Sequence, residues 1–389
     1  MCPRLLPLLL LALAAAGAAE HRVPLRQEDI DGEAMGIKPG DVVLIEAGPR
    51  PFLRIRNVQG TAGAAVTLRN EGGVVELSNN THHYNIRIGR SRFVRIIGDG
   101  VPGLRYGFHL KGTNQDGSGV MAGELSSDLE IAHLHIERSG FAGMLVKTDG
   151  ATGTFMDNIE IHDNYIHDTG GEGLYLGETK TPGQHFRHVR IWNNVIVRTG
   201  WEACQLANAT EDVRVHHNVF ARAGLAGIKW QNRNFQLGAN TTARVSENLF
   251  LGSRCTIATC FGGQEKEFRN NYFEGFEETE AAAYYGDTNT SGIPPTGIEW
   301  VGNVFRGLKP ELPVFLFQAT KSRISVSNNV VEGENEFVKF IGRRPPGVTI
   351  TGNLRKKQIP RPRFLDEAHD DFRLPEDDPY RKRGIGLLP

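Results

Sequence analysis

Apolar residues alternate with polar ones in short runs along most of the chain, as in Ile159-Glu-Ile161, Leu174-Tyr-Leu176, Val189-Arg-Ile191, Val213-Arg-Val215 and Ile228-Lys-Trp230. A period of two over so few residues predicts short strands with one buried face. The runs are punctuated by a recurring phrase: an Asn, an apolar pair, and a Gly or small residue six positions after the Asn. It reads Asn164-Tyr-Ile-His-Asp-Thr-Gly170, Asn194-Val-Ile-Val-Arg-Thr-Gly200 and Asn218-Val-Phe-Ala-Arg-Ala-Gly224, with weaker copies starting at Asn248, Asn271, Asn303, Asn329 and Asn353. Successive copies lie 30, 24, 30, 23, 32, 26 and 24 residues apart, so a unit of about 24 residues carries inserts in some turns. A unit that short cannot bury its apolar side alone. Copies must stack, and stacked turns of strand make a parallel coil with strands about 4.8 Å apart. The Asn then stands at the same bend in every turn, where its amide bonds the backbone above and below as an internal ladder. The expected fold is all-β.

The opening of the repeat region, Gly40-Asp-Val-Val-Leu-Ile-Glu-Ala-Gly48 followed by Gly60-Thr61 and Val66-Thr-Leu68, resembles the first turns of chondroitinase-B-like and alginate-lyase-like proteins. Phe364-Leu-Asp366 with Asp371-Phe-Arg-Leu374 is similar to the tail that closes many such coils. The resemblance, over roughly residues 36 to 355, is to the secreted bacterial right-handed parallel β-helix proteins, a group rich in polysaccharide lyases and hydrolases. It implies a single right-handed parallel β-helix, or solenoid, and carbohydrate chemistry. The Lys and Arg signatures of the chondroitinase-B-like lyases do not align here, so no catalytic residue is carried over from them.

Met1 to Ala19 joins a basic start at Arg4, an apolar run from Leu5 to Ala16 and small residues near Ala18, the pattern of a cleaved secretory signal. The expected organisation is therefore a signal peptide at 1–19, an N-terminal cap segment at 20–35, the coil at 36–355 and a C-terminal tail at 356–389. Cys2 leaves with the leader, so Cys204, Cys255 and Cys260 remain and allow one disulfide at most, with a Cys255–Cys260 pairing left open. No later stretch approaches the roughly 18 apolar residues of a membrane span. The 44 Lys and Arg against 45 Asp and Glu leave a net charge of -1, which argues against nucleic acid as partner. A secreted or periplasmic monomer is expected.

Aligning the units on the Gly that ends each phrase puts Met144, Leu174, Cys204 and Ile228 in one inward column and Val146, Leu176, Leu206 and Trp230 in another. The outward column between them then reads His109, Leu145, Tyr175, Gln205, Lys229, with Gly107-Phe-His-Leu-Lys111 taken as the preceding copy. Two residues on, it reads Lys111, Lys147, Gly177, Ala207, Gln231. Small residues beside large polar ones make a groove, and its cations suit an acidic sugar polymer. Inserts at Thr179 to Arg187 and Arg233 to Thr241 could wall it, and Trp201 and Phe141 could stack on sugar rings.

For β-elimination from a uronate, Lys147 or Lys229 can neutralise the carboxylate or act as base, Tyr175 can serve as acid or base, and Gln205 can bond the carboxyl. His109 is a second base candidate, and His109, Lys111, Gln205, Gln231 and Trp201 form the expected substrate-binding set. Glu172 and Glu202, equivalent on adjacent turns, support a competing glycoside hydrolase account, since one strand spacing is compatible with the roughly 5 to 5.5 Å between retaining carboxyls. With Glu178 they could instead bind Ca²⁺. A non-catalytic glycan-binding protein is the third class. His133, Asp163, Asn193 and His217, beside His162 and His216, read as a solvent-facing polar column, and Arg138, Asp168, Arg198 and Arg222 as a surface ion ladder.

Overall fold

The computed structural model describes residues 17–147, 153–177, 185–276, 279–287, 294–319 and 321–388. A typical turn contributes three short strands, for example Phe155–His162, Tyr165–His167 and Leu174–Leu176, which pair in parallel with His185–Trp192, Val195–Val197 and Cys204–Leu206 of the next turn. Stacking of about 11 such turns gives a parallel β-solenoid with almost no helix. Its first two faces merge into one 23-stranded sheet and its third face is a separate 12-stranded sheet, counted among the described residues. Pairing begins ahead of residue 36, because Glu20–Val23 already lies beside Val42–Ile45 and Asp29–Asp31 beside Arg54–Arg56. Among the described residues no helix is long and apolar enough to cross a membrane.

The alternating residues turn one side chain in two inward, and Ile159, Ile161, Val189, Ile191, Val213 and Val215 are buried in a continuous core. Farther along the coil, Phe220, Phe250, Phe273 and Phe305 stack with centroids 5.3, 4.7 and 4.8 Å apart. Burying each such ring contributes about 1.5–3 kcal/mol.

The Asn ladder runs through all eight copies. Asn164 donates from its backbone N and its side-chain Nδ2 to Asn194 Oδ1 at 3.1 and 3.0 Å, and Asn194 donates in the same way to Asn218 Oδ1 at 3.0 and 3.0 Å. The pattern continues through Asn248, Asn271, Asn303 and Asn329 to Asn353. The residue before each Asn makes the bend in left-handed conformation: Asp163, Asn193, His217, Glu247 and Asn270 have φ of 53, 55, 55, 55 and 53°. Asn and Asp tolerate that region best among residues with a Cβ. The column that reads as surface polar residues in the sequence is thus a row of corners. Arg138, Asp168, Arg198 and Arg222 form a second row of such corners, with φ of 52, 54, 53 and 55°.

Beyond the last turn the tail runs back along the outside of the second face. Ile359, Phe372, Leu374, Tyr380 and Ile385 pack on an outward apolar strip of Val195, Val219, Leu249, Tyr272 and Val304. Arg198 pins it through Asp370 at 2.7 Å, and Arg361 ties Glu274 at 2.9 Å to Glu367 at 2.6 Å.

Two strand expectations are corrected by this architecture. Ile228-Lys-Trp230 is not a strand: Ile228, Lys229 and Trp230 are exposed in the loop that precedes Phe235–Leu237, and Phe235–Leu237 is what pairs with Cys204–Leu206. The insert of this turn therefore comes before its third-face strand, and Lys229 and Gln231 leave the predicted columns. Phe108–Lys111 belongs to the second face, beside Leu134–Glu137, so His109 and Lys111 leave them too. Cys204, Cys255 and Cys260 are all free thiols.

Candidate functional site

On the third face, the strands Ser118–Gly123, Met144–Val146, Leu174–Leu176, Cys204–Leu206, Phe235–Leu237, Thr256–Phe261 and Ala281–Gly286 follow one another in register. Alternation turns Met121, Leu145, Tyr175, Gln205, Gln236, Thr259 and Tyr284 outward in a single column. Two residues on, Lys147, Gly177, Ala207 and Gly238 continue the register, Gly177 N bonding Val146 O, Ala207 N bonding Leu176 O and Gly238 N bonding Leu206 O. Gly177 has to be glycine, since φ is 107° and a Cβ would stand 2.0 Å from the Ala207 carbonyl oxygen. The result is a trough floored by Gly177, Ala207 and Gly238, with Lys147 at one end. A recess of about 40 Å³ lined by Arg87, Met121, Gly123, Leu145 and Lys147 opens beside that lysine.

An outward column on such a coil ordinarily meets water. Here Tyr175, Gln205, Gln236 and Thr259 are only 8, 2, 8 and 1% exposed. Gln236 Nε2 donates to Gln205 Oε1 at 2.8 Å, and Tyr284 donates its hydroxyl to Gln318 Oε1 at 2.8 Å. The Lys147 ammonium sits over the Tyr175 ring, 4.3 Å from its centroid. Among the described residues Lys147 has no carboxylate partner and the Tyr175 hydroxyl has no hydrogen bond. Phe141 meets Trp201 edge-on at 5.5 Å and Tyr175 at 6.4 Å, so the two corner aromatics are half-buried against each other next to the trough.

Two residues before the strands, the corner column reads Ala142, Glu172, Glu202, Arg233, Thr256. Glu172 and Glu202 are 1 and 0% exposed, and Glu172 Oε2 and both Glu202 carboxyl oxygens are buried without a hydrogen bond. Arg233 Nη1 stands 3.5 Å from Glu202 Oε1, an ion pair too long for a hydrogen bond. Burial, and secondarily the charge of Glu202, pushes Glu172 up to about 8 against the pull of Lys147. Burial pushes Glu202 up to about 7, against Arg233. A neutral-pH carboxyl pair that holds a proton, an unpaired ammonium and an uncommitted phenol thus lie within electrostatic reach of one another.

Of the residues picked from sequence, the structure brings Lys147, Tyr175, Gln205, Glu172, Glu202 and Trp201 to this one place. Lys229 and Gln231 are in the adjoining loop, where the Lys229 ammonium lies 5.0 Å from the Trp230 ring. His109 and Lys111 are on another face, bound to Glu137 and Glu76 at 2.9 and 2.9 Å. Glu178 and the stretch 179–184 lie outside the described residues. Arg233 and Gln236 were missed. The available signal was Phe235-Gln-Leu237, which repeats the Gln-Leu of Cys204-Gln-Leu206 after an apolar residue.

No family model matches the chain, and no curated protein matches it. Among solved structures it is similar to an alginate lyase from Paenibacillus sp., at 17% identity and TM-score 0.46, covering 86% of this chain and 98% of that one. The A-module of a mannuronan C-5 epimerase from Azotobacter vinelandii is similar at 15% identity and TM-score 0.48, over 82% of this chain and 93% of that one. A lacto-N-biosidase from Eubacterium ramulus is similar at 10% identity and TM-score 0.45, over 87% of this chain and 67% of that one.

Proposed function

We propose that the protein is a secreted polysaccharide lyase that cleaves an acidic, uronate-containing chain by β-elimination on the third face of the coil. The observation that carries this reading is the Lys147 ammonium, without a carboxylate partner among the described residues, 4.3 Å from the ring of a tyrosine whose hydroxyl is uncommitted among them, at the head of a trough of small residues. Lys147 neutralises the uronate carboxylate, helped by the Gln205 and Gln236 amides, which acidifies the neighbouring C–H. Tyr175, having first given its hydroxyl proton to solvent, removes the C–H proton; the electron pair forms the ring double bond as the bond to the glycosidic oxygen breaks, and the Tyr175 hydroxyl so formed returns the proton to the departing oxygen. Arg233 and the buried Glu172–Glu202 pair set the charge behind the trough.

The same carboxyl pair favours a second reading. Its raised affinity for protons is what an inverting or retaining hydrolase needs of its acid, although both side chains face away from water. As a calcium site the described residues offer two carboxylates beside a guanidinium, short of the six to eight oxygens that ion takes. No step of the lyase reading passes through it.

The test is to incubate the purified chain with a panel of uronic-acid polymers and neutral glycans and to follow ultraviolet absorbance and mass of the products. Unsaturated uronyl ends are expected from at least one acidic polymer. Saturated products with new reducing ends would overturn the lyase in favour of the hydrolase, and binding without any product would favour a non-catalytic glycan binder.

A further inference from the structure

On the second face, beyond the end of the apolar strip that the tail covers, the outward residues change character. His109, His135 and Tyr165 fall in one column of three successive turns, and Lys111, Glu137 and His167 in the next. His109 and His135 stack with ring centroids 4.1 Å apart, and His109 Nε2 stands 2.9 Å from Glu137 Oε1. Donor atoms of His109, His135 and Glu137 all lie within 4.8 Å of one another, which no other set of three His, Cys, Asp or Glu achieves among the described residues. None of these groups takes part in the third-face chemistry.

A third imidazole stands behind this set and orients it. His135 Nε2 and His167 Nε2 face each other at 2.7 Å, a distance that requires one of the two nitrogens to hold the shared proton. His167 is in turn oriented by its neighbour, its Nδ1–H donating to Asp168 Oδ2 at 2.5 Å. With its Nδ1–H committed to Asp168, His167 Nε2 accepts from His135 Nε2–H, which fixes the His135 tautomer and leaves His135 Nδ1 as a lone-pair donor, the usual support of a metal-bound histidine. Asp168 is itself held by Arg198, which also grips Asp370 of the tail.

We infer that this cluster is a binding site for a divalent transition metal, zinc by the chemistry of its donors. Two imidazoles and one carboxylate are a zinc ligand set that leaves the fourth position to water. The ion ties two successive turns together, His109 on one and His135 and Glu137 on the next, beside the point where the tail is anchored. It is distinct from the trough on the third face.

The experiment is a zinc titration of the untagged full chain against a chromophoric chelator. It is done in a Cys255→Ser background because the half-buried Cys255 thiol, 3.2 Å from Glu280, is a competing soft ligand. One equivalent of Zn²⁺ is expected. It should be lost in His135→Ala and in Glu137→Gln, kept in His162→Ala, and weakened about 10- to 100-fold in Asp168→Asn. Zinc should also raise the melting temperature of the parent chain but not of Glu137→Gln, a substitution of nearly equal volume that guards against misfolding as the cause. No tight equivalent in the parent, or an equivalent that survives both His135→Ala and Glu137→Gln, overturns the site.

Discussion

At the scale of single residues, the trough separates groups that act from groups that only line the surface. Lys147→Ala and Tyr175→Phe should each lower formation of unsaturated products by about 10²- to 10⁴-fold, the usual contribution of a positioned acid, base or charge. Lys229→Ala should leave turnover within a few-fold of the parent because Lys229 is exposed in a loop. Initial rates on the polymer that gives product decide between the two groups. The buried carboxyls have a different signature. Glu172 is raised from 4.5 to about 8 and Glu202 from 4.5 to about 7, so between those values the folded chain holds protons that the unfolded chain has lost. Stability is therefore greatest near the low end and falls as pH rises from about 4.5 toward 8. Thermal melts from pH 5 to pH 8 should show that decline, and Glu172→Gln should flatten it.

At the scale of the repeating element, the Asn ladder predicts a gradient. Asn194 accepts two bonds from Asn164 and donates to Ile161 O, Trp192 O and Asn218 Oδ1, all in a buried corner. Replacing it by Leu strands those backbone groups and should cost about 1–3 kcal/mol or more in denaturant unfolding. Asn353 ends the ladder in a half-buried corner, so Asn353→Leu should cost clearly less. Equal costs at the two positions would mean that the ladder bonds are not what sets the stability of a turn. The ladder was legible because eight copies of one phrase sit at one offset from an apolar pair. The trough columns were legible only through Leu145, Tyr175 and Gln205, where consecutive turns have the same length of 30 residues between Asn164 and Asn194. Beyond that the insert shifts the frame. Ile228-Lys-Trp230 alternates as well as Phe235-Gln-Leu237 does, and a period of two cannot tell which of them finds a partner strand.

At the scale of the whole molecule, the tail decides how the second face meets solvent. Removing residues 359–389 would bare Val195, Val219, Leu249, Tyr272 and Val304 as one contiguous strip. Large exposed apolar patches drive association. The shortened chain should self-associate in size-exclusion chromatography and melt at lower temperature, whereas Asp370→Asn, which loosens only the Arg198 and Tyr165 contacts, should lower the melt without association. A shortened chain that stays monodisperse at the same melting temperature would show that the tail is not what covers this face.

The sequence by itself determined the class of fold, the stacking of turns and the ladder that joins them, because each of these depends on a local pattern repeated at a fixed offset. It also determined that Tyr175, Gln205 and Lys147 share a face, since pairing of adjacent turns of similar length leaves one register that keeps Leu174, Leu176, Cys204 and Leu206 inside. Tertiary structure alone decided the rest. Which face His109 occupies depends on how many strands a turn holds before it closes, and that is settled by pairing with Leu134–Glu137 rather than by anything in Phe108–Lys111. That Glu172 and Glu202 are buried, that Arg233 joins them, and that His109, His135, Glu137 and His167 meet are consequences of placing residues 26 to 32 apart one strand spacing from each other. Contacts of that kind are made across turns, and no pattern along the chain encodes them until the length of every insert is known.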